Sequence, residues 1–338
     1  MPTVHDVAKR AKVAPITVSR VINNSGYVSQ ATRERVEAAV KELGYVPNTL
    51  ARGLRSKQTK TLALVVTDIT NPYFTLMARG VEDVAGTSDY SVVYCNTDES
   101  EAKEEKYVNL LAQRQVDGVL LVPSCGNVKT IKFLLSNDIN VVALDRHVSG
   151  VKIDCVRSDS ENGAYHLIKL LIGLGHKRIA TITGPKDVST SVDRAAGYRR
   201  ALAESGLEEY EQVYYGMFNQ ESGYKFARQV MMHSPKPTAI FGANNYIAIG
   251  IIKALRDLKF DVPGDVSVVA FDDFPESMLL VPFLTIAYQP AYKMGRMATE
   301  LLLKRISGEL TGECQNLVLP TEIIERESTG PKRKNMSS

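Results

Sequence analysis

From Thr61 onward, short apolar runs alternate with amphipathic stretches of helix length, and this alternation limits the fold more than any other feature of the chain. Leu62–Val66, Ser91–Tyr94, Gly118–Val122 and Val141–Leu144 have the length and apolar character of buried strands. Between them lie stretches such as Tyr73–Val84 and Lys103–Arg114, patterned as helices, and the same rhythm returns with Ile179–Ile182, Ala239–Phe241 and Val266–Phe271. Strands joined through helices run parallel, and the crossover helices cover both faces of the sheet. The chain of 338 residues holds too many such units for one sheet, which predicts two similar lobes. Open sheets of this kind bind ligands outside the C-terminal ends of their strands, so a cleft between the lobes is expected.

The segment before Thr61 has another character. Up to Lys60, eleven basic residues face four acids, a net +7, whereas the remainder carries −4. A basic head on a mildly acidic body is the electrostatic footprint of a nucleic-acid binder, provided that the head also presents a reading element. Thr3 and Asp6 have capping-box spacing, and a helix follows to about Ala11. Pro15 suits the first position of a second helix, in which Val18, Val21 and Ile22 form the inward stripe and Ile16 and Arg20 share the outward face. A third helix starts after Ser29 as N-cap and ends at Gly44. Three short helices of this kind make a helix-turn-helix, whose second core helix lies in the major groove with its N-terminal residues against base edges. Arg20 suits direct readout because a guanidinium bonds guanine O6 and N7 bidentately, while Pro15 and Ile16 offer only apolar contact.

The ordered run Asp6-Val7-Ala8, Ala11, Val13, Thr17-Val18-Ser19-Arg20-Val21, Asn23, Val28-Ser29, Thr32-Arg33, Val36, Leu43-Gly44-Tyr45, Pro47-Asn48, Ala51-Arg52, Leu54 resembles the head of the lactose-repressor/galactose-repressor (LacI/GalR) family of bacterial transcription regulators. That resemblance extends through the body to about Ser328. It implies an N-terminal all-α helix-turn-helix head plus an α/β two-lobed periplasmic-binding-protein-like (type I) sensor domain with parallel sheets. The expected division is a DNA-binding head over 1–46, a hinge helix and linker over 47–59, an effector domain over 60–330 and a flexible tail over 331–338. Within the effector domain the first lobe takes about 60–157 and 289–319, and the second about 158–288 and 320–330. The DNA-contacting positions the resemblance implies are Thr3, Pro15, Ile16, Thr17, Ser19, Arg20 and Asn23 in the head, with Ala51, Leu54 and Arg55 in the hinge. One departure is Ala14, which stands where the family usually has a capping Ser and forgoes about 1 kcal/mol at the start of the reading helix.

The stretch from Asn48 to Ser56 reads as a helix too short to persist alone in water, and Gly53 weakens it further. The resemblance supplies its partner: hinge helices from two subunits of a homodimer enter the minor groove of a near-palindromic double-stranded operator, with Leu54 wedged at a central base step. Some relatives also use a protein corepressor.

Strand-end loops carry the expected effector contacts: Tyr73 and Phe74 after Asn71-Pro72, Asp145 with Arg146 after the fourth strand, Arg194 opening a helix after Gly184-Pro185, and Asn244 and Asp272 after two later strands; the resemblance places Phe74, Arg194, Phe218, Asn244 and Asp272 at effector-contacting positions. Carboxylate and amide oxygens accept hydroxyl hydrogens and a guanidinium donates in a fork, which suits a polyol such as a sugar. Phe74 and Phe218 fit either the apolar face of a sugar ring or the hydrophobic core. A purine or nucleoside effector is the alternative within the family; Ser158, standing where the purine-binding relative has an Asp, argues against it.

Other functions fit poorly. There is no G-x-S-x-G elbow, H-E-x-x-H pair, P-loop or strand-linked G-x-G-x-x-G, and His5, His147, His166, His176 and His233 are scattered, so no enzyme, cofactor or metal is expected. Cys95, Cys125, Cys155 and Cys314 read as buried reduced thiols. No apolar stretch approaches membrane-spanning length, and Asp6, Lys9 and Arg10 stand where a secretory signal needs apolar residues, which predicts a cytoplasmic chain and argues against an exported solute-binding protein. The wedge assignment has a direct test. Leu54→Ala should weaken specific operator binding by roughly tenfold or more at fixed salt and leave non-specific duplex binding nearly unchanged; equal loss on both, in paired titrations, removes the wedge role.

Overall fold

The computed structural model describes residues 2–46, 58–274 and 283–332, which form two compact units divided at Thr59 and Lys60. In the first unit, α1 (Val4–Ala11), α2 (Pro15–Ile22) and α3 (Gln30–Leu43) enclose a small core of Val7, Ala8, Ala11, Val18, Val21, Val36 and Ala39. The capping box at Thr3 is present: the Asp6 N–H donates to Thr3 Oγ1 at 3.3 Å and the Thr3 N–H to Asp6 Oδ2 at 2.8 Å. No side chain caps α2 at Ala14. Ser29 also differs from the capping expectation, because its hydroxyl bonds Thr32 Oγ1 at 3.0 Å and makes no cap to the backbone of α3.

The second unit holds two six-stranded sheets. The first lobe is built from β1 (Thr61–Val66), α4 (Pro72–Thr87), β2 (Ser91–Asn96), α5 (Glu101–Gln113), β3 (Gly118–Leu121), α6 (Lys129–Ser136), β4 (Asn140–Leu144) and β5 (Asp154–Ser158). The second takes α7 (Ser160–Gly173), β6 (Ile179–Thr183), α8 (Ser189–Ala203), β7 (Gln212–Tyr215), α9 (Gln220–Met231), β8 (Ala239–Gly242), α10 (Asn245–Asp257), β9 (Ser267–Phe271) and β10 (Thr285–Tyr288). The chain then returns to the first lobe with α11 (Ala291–Ser307) and β11 (Asn316–Leu319), and crosses back with β12 (Glu322–Ile324). Strand order is β11-β5-β4-β3-β1-β2 in the first sheet, all parallel, and β12-β10-β9-β8-β6-β7 in the second, where only β12 runs antiparallel. The lobes exchange chain after Ser158, Tyr288 and Leu319, so Ser158 still belongs to the first sheet, paired with Leu319. Of the expected flexible tail, 331–338, only the first two residues are described, and the Lys332 N–H donates to the Leu174 carbonyl at 3.0 Å.

The central strands of each sheet are buried on both faces, as crossover helices require. In the first lobe α4 and α11 cover one face with Met77, Val81, Met294, Ala298 and Leu302, while α5 and α6 cover the other with Val108, Leu111, Ile131 and Leu134. Among the described residues no helix is long and apolar enough to cross a membrane. The α4–α11 crossing depends on two glycines. A Cβ at Gly80 would lie 2.2 Å from the Tyr292 carbonyl oxygen, and one at Gly295 would lie 2.1 Å from that of Met77. Gly80→Ala should therefore lower the unfolding free energy by about 1–3 kcal/mol, through the overpacking it forces. Gly86→Ala, in the same helix but facing open space, should raise it by up to ~1 kcal/mol; urea unfolding of both variants checks the opposite signs.

Candidate effector cavity and DNA-reading face

The first turn of α4, the ends of β4 and β9, and the second turn of α8 converge on a cavity of about 310 Å³ between the two lobes. All seven expected effector residues line it: Tyr73, Phe74, Asp145, Arg194, Phe218, Asn244 and Asp272. Asp145 and Asp272 occupy matching places. Each follows the last residue of its strand in the left-handed region, with φ of 64° and 65°. Each N–H donates to the neighbouring strand, Asp145 to Val156 O at 2.9 Å and Asp272 to Ala287 O at 3.1 Å. Aspartate tolerates this conformation better than most residues, and the turn aims both carboxyl groups into the cavity.

The two carboxylates differ in their partners. Asp145 accepts the Tyr73 hydroxyl at 2.6 Å, so Tyr73 acts by orienting a carboxylate, and burial beside Asp145 pushes its own phenol well above its ordinary range. Asp272 accepts Gln289 Nε2 at 2.6 Å. Burial raises its carboxyl to about 6, with Arg194 opposing the rise and Asp145 adding to it. Arg194 lies inside α8, five residues past its start, where a helix-opening position was expected. Its guanidinium is 3% exposed, stacks 4.0 Å over Phe271 and donates Nη1 to the Ala243 carbonyl at 2.5 Å. Nε has no hydrogen-bond partner among the described residues. A buried cation with uncommitted donors beside a cavity is an arrangement that a ligand acceptor would complete.

Asn244 is the N-cap of α10, and its Oδ1 accepts the Ile247 N–H at 2.8 Å. Its Nδ2 donates to the Phe218 carbonyl at 3.4 Å, so one lone pair on the oxygen and one N–H of the amide are left for a ligand. Phe74 is both core and lining, packed edge-to-face on Tyr73 at 5.1 Å. Phe218 closes the cavity from the second lobe; its ring seats on Gly184, where a Cβ would come within 2.4 Å. Ser158 faces away, its hydroxyl 3.1 Å from Met294 Sδ, so it does not line the cavity and says nothing about a purine.

Two residues that the effector expectations omitted, Glu99 and Gln289, belong to the site's support. Glu99 holds Arg146 through a fork, Nη1–Oε2 at 2.7 Å and Nη2–Oε1 at 2.6 Å, and Arg146 lies 5.2 Å from the Phe218 ring centre across the lobes. Gln289 follows β10, a strand that the apolar pattern did not reveal. The lining as a whole is acidic, with Asp68, Asp98, Glu99, Asp145 and Asp272 against Arg146 and Arg194.

In the head, Pro15, Ile16, Arg20 and Asn23 are exposed, and Ile16, Arg20 and Asn23 follow one face of α2 by spacing. Thr17 and Ser19 are half-buried, and Asn23 Nδ2 donates to the Ser19 carbonyl at 2.8 Å. The Arg20 stem runs beside Gly26, whose φ of 69° makes the turn. Thr3 is occupied by its capping role. Ala51, Leu54 and Arg55 lie outside the described residues.

A helix-turn-helix unit joined to a two-lobed α/β unit with a polar inter-lobe cavity defines a DNA-binding transcription regulator with an effector domain, and not an enzyme. The family model for bacterial regulatory proteins of the lacI family matches residues 3–48, and that for a periplasmic binding protein-like domain matches 168–329. The chain is 39% identical over 97% of its length to a ribose operon repressor of Halalkalibacterium halodurans, covering 97% of that protein. Its fold resembles the lac repressor dimer bound to operator and the anti-inducer ONPF (TM-score 0.84, 29% identity, 97% of this chain and 99% of that one). It also resembles a ribose-bound LacI family transcriptional regulator of Enterococcus faecium (TM-score 0.72, 27% identity, 81% and 100%). The chain belongs to the LacI family of transcriptional repressors.

The raised Asp272 carboxyl has a consequence for stability. Its folded value, about 6, exceeds its ordinary 3.8, so the native state binds the proton more tightly. This contribution to stability is present below pH 3.8 and is lost as pH rises through 6. Asp272→Asn, an uncharged isostere, should melt higher than the parent at pH 7.5 without effector. The gap should shrink towards zero as pH falls from 6 to 4, in melting curves of the two proteins run in parallel.

Proposed function

We propose that the inter-lobe cavity is the effector site, that it takes a neutral monosaccharide of ribose type, and that its occupancy sets the affinity of a homodimer for a near-palindromic operator. The observation that carries this is the Arg194 guanidinium, buried with an uncommitted donor and lining the same cavity as two carboxylates from opposite lobes. Sugar hydroxyls both donate and accept, so one ring can bridge Asp145, Asp272 and Arg194 together. At about 310 Å³ the cavity stands at the small end of ligand sites, which suits a single ring. Its excess of carboxylates disfavours a phosphorylated sugar, whose charge would meet like charge at close range. The ribose operon repressor and the ribose-bound regulator among the relatives agree with a pentose.

On the DNA side, Arg20, Ile16, Pro15, Thr17, Ser19 and Asn23 supply the reading face, and Ala51, Leu54 and Arg55 the hinge contacts. The exposed side of α2 together with the +7 charge supports major-groove docking. Thr3 then acts by fixing the start of α1. A small-molecule effector suffices for this reading, without the protein corepressor that some relatives use.

Isothermal titration with D-ribose, other neutral monosaccharides, ribose 5-phosphate and purines is the test. A neutral pentose should bind, and Arg194→Ala should weaken it on the order of 30-fold or more, the cost of losing hydrogen bonds to a charged donor. Because sugar hydroxyls favour the ionised Asp272, affinity should be full above pH 6 and fall by up to roughly tenfold per unit below it. Binding of phosphorylated sugars or purines alone would overturn the assignment.

A further inference from the structure

Beside the cavity, the two lobes meet through a pair of buried amides that no ligand contact requires. Asn71, the N-cap of α4 in the first lobe, donates Nδ2 to Asn245 Oδ1 at 3.0 Å. Asn245, the first residue of α10 in the second lobe, returns Nδ2 to Asn71 Oδ1, also at 3.0 Å. Both side chains are nearly sealed from water, 4% and 0% exposed. Each amide is otherwise engaged within its own lobe: Asn71 Oδ1 accepts the Tyr73 N–H at 3.1 Å, Asn245 Oδ1 accepts the Tyr246 N–H at 2.8 Å, and Asn245 Nδ2 also reaches the Asp273 carbonyl at 3.4 Å. Next along the same seam, Tyr246 Oη donates to the Thr70 carbonyl at 2.7 Å and its ring stacks on Phe274. Asn71 lines the cavity and precedes Tyr73 and Phe74, whereas Asn245 does not line it.

We propose that Asn245 is a positioning residue for effector binding: its reciprocal amide pair with Asn71 registers the two halves of the site and holds the cleft closed independently of the ligand. The chemistry depends on both side chains being amides, each with one donor and one acceptor turned to the other. Opening the cleft parts two hydrogen bonds at once, and closing it restores both without bringing a charge out of water. The effector then binds a cleft already biased towards its closed form. Its apparent affinity depends on the closed fraction, which residues outside the cavity set. The effector part of this argument rests on the proposed sugar site, while the seam itself does not.

Asn245→Asp separates a latch from a merely structural role because the two make opposite demands. An aspartate keeps the acceptor for the Tyr246 N–H, gives up only the long bond to the Asp273 carbonyl within its own lobe, and adds a negative charge at a helix N-terminus, where it is favourable. A structural role alone therefore expects unchanged or higher melting temperature and unchanged binding. The latch expects the Asn71 Nδ2 bond to persist on one carboxylate oxygen while the other, in place of Nδ2, faces Asn71 Oδ1 as acceptor against acceptor across the seam. The full-length protein without effector should then exchange backbone hydrogens faster in peptides spanning 68–77 and 243–250, with β8 protection and the melting temperature retained. D-ribose should bind about tenfold more weakly to Asn245→Asp and severalfold more weakly to Asn245→Ala, which loses both seam bonds, along with those to Tyr246 and Asp273, without adding repulsion. Unchanged exchange at the seam in both variants would overturn the proposal, as would loss of protection spread through the second lobe together with a lower melting temperature. If the parent protein binds no sugar, the sugar assignment fails while hydrogen exchange still decides the latch.

Discussion

Charge held away from water at the facing ends of two sheets sets the terms for the rest of this molecule. Asp145, Asp272, Arg146 and Arg194 are each at most 6% exposed, and placing such groups in a protein interior is costly unless partners are fixed in advance. The fixing begins in the backbone. Each aspartate takes a left-handed turn whose N–H is drawn to the neighbouring strand, so its carboxyl position follows from sheet register, not from a loop's own preferences. Sheet register in turn depends on apolar cores that pack helices on both faces. The glycine contact between α4 and α11 brings the helix carrying Tyr73 and Phe74 close enough to share that core.

The two lobes repeat this plan but complete it to different degrees. In the first, Tyr73 serves Asp145 and Glu99 forks Arg146, so both charged groups have strong internal partners. In the second, Arg194 has a backbone carbonyl and an aromatic face, and Asp272 has a neutral amide whose own Oε1 lacks a partner among the described residues. The raised Asp272 carboxyl is the electrostatic sign of that shortfall. A ligand therefore has most to supply in the second lobe, and Gln289 sits where β10 hands the chain back to the first. An effector that satisfies Asp272 and Arg194 acts directly beside a crossing point.

How far the sequence foretold this follows from which residues carry period and charge. The strands buried on both faces, such as Leu62–Val66 and Val266–Phe271, were legible because continuous apolar runs bounded by helices admit few other readings. The strands missed are short or polar: Asp154–Ser158 begins with an aspartate ion-paired to Arg305, Gln212–Tyr215 is a half-buried edge, and Asn316–Leu319 and Glu322–Ile324 are edge strands. Gln289 was lost with its strand, Thr285–Tyr288. Five of the seven cavity residues were named through resemblance, and Tyr73 and Asp145 by their place after strands, yet their chemistry needed coordinates. Nothing in the order of residues says that Asn244 gives its oxygen to a helix, that Tyr73 serves Asp145, or that Ser158 turns towards Met294. Such assignments depend on which of several nearby donors arrives first, a property of three-dimensional distance alone.

A regulator's ligand can shift an equilibrium only by the difference in its affinity for the two states. In this protein the closed cleft draws on two separable sources. One is the charged floor, incomplete without a ligand and sensitive to its chemistry. The other is the neutral seam of Asn71, Asn245, Thr70 and Tyr246, complete in itself. A stronger seam raises apparent affinity while shrinking the change that ligand makes, since more of the population is closed beforehand. A weaker seam does the reverse. Amides suit the compromise better than an ion pair would, because their attraction is short-ranged and modest once the solvated open state is counted. The cavity therefore determines which molecule is sensed, and the seam determines how much its arrival changes.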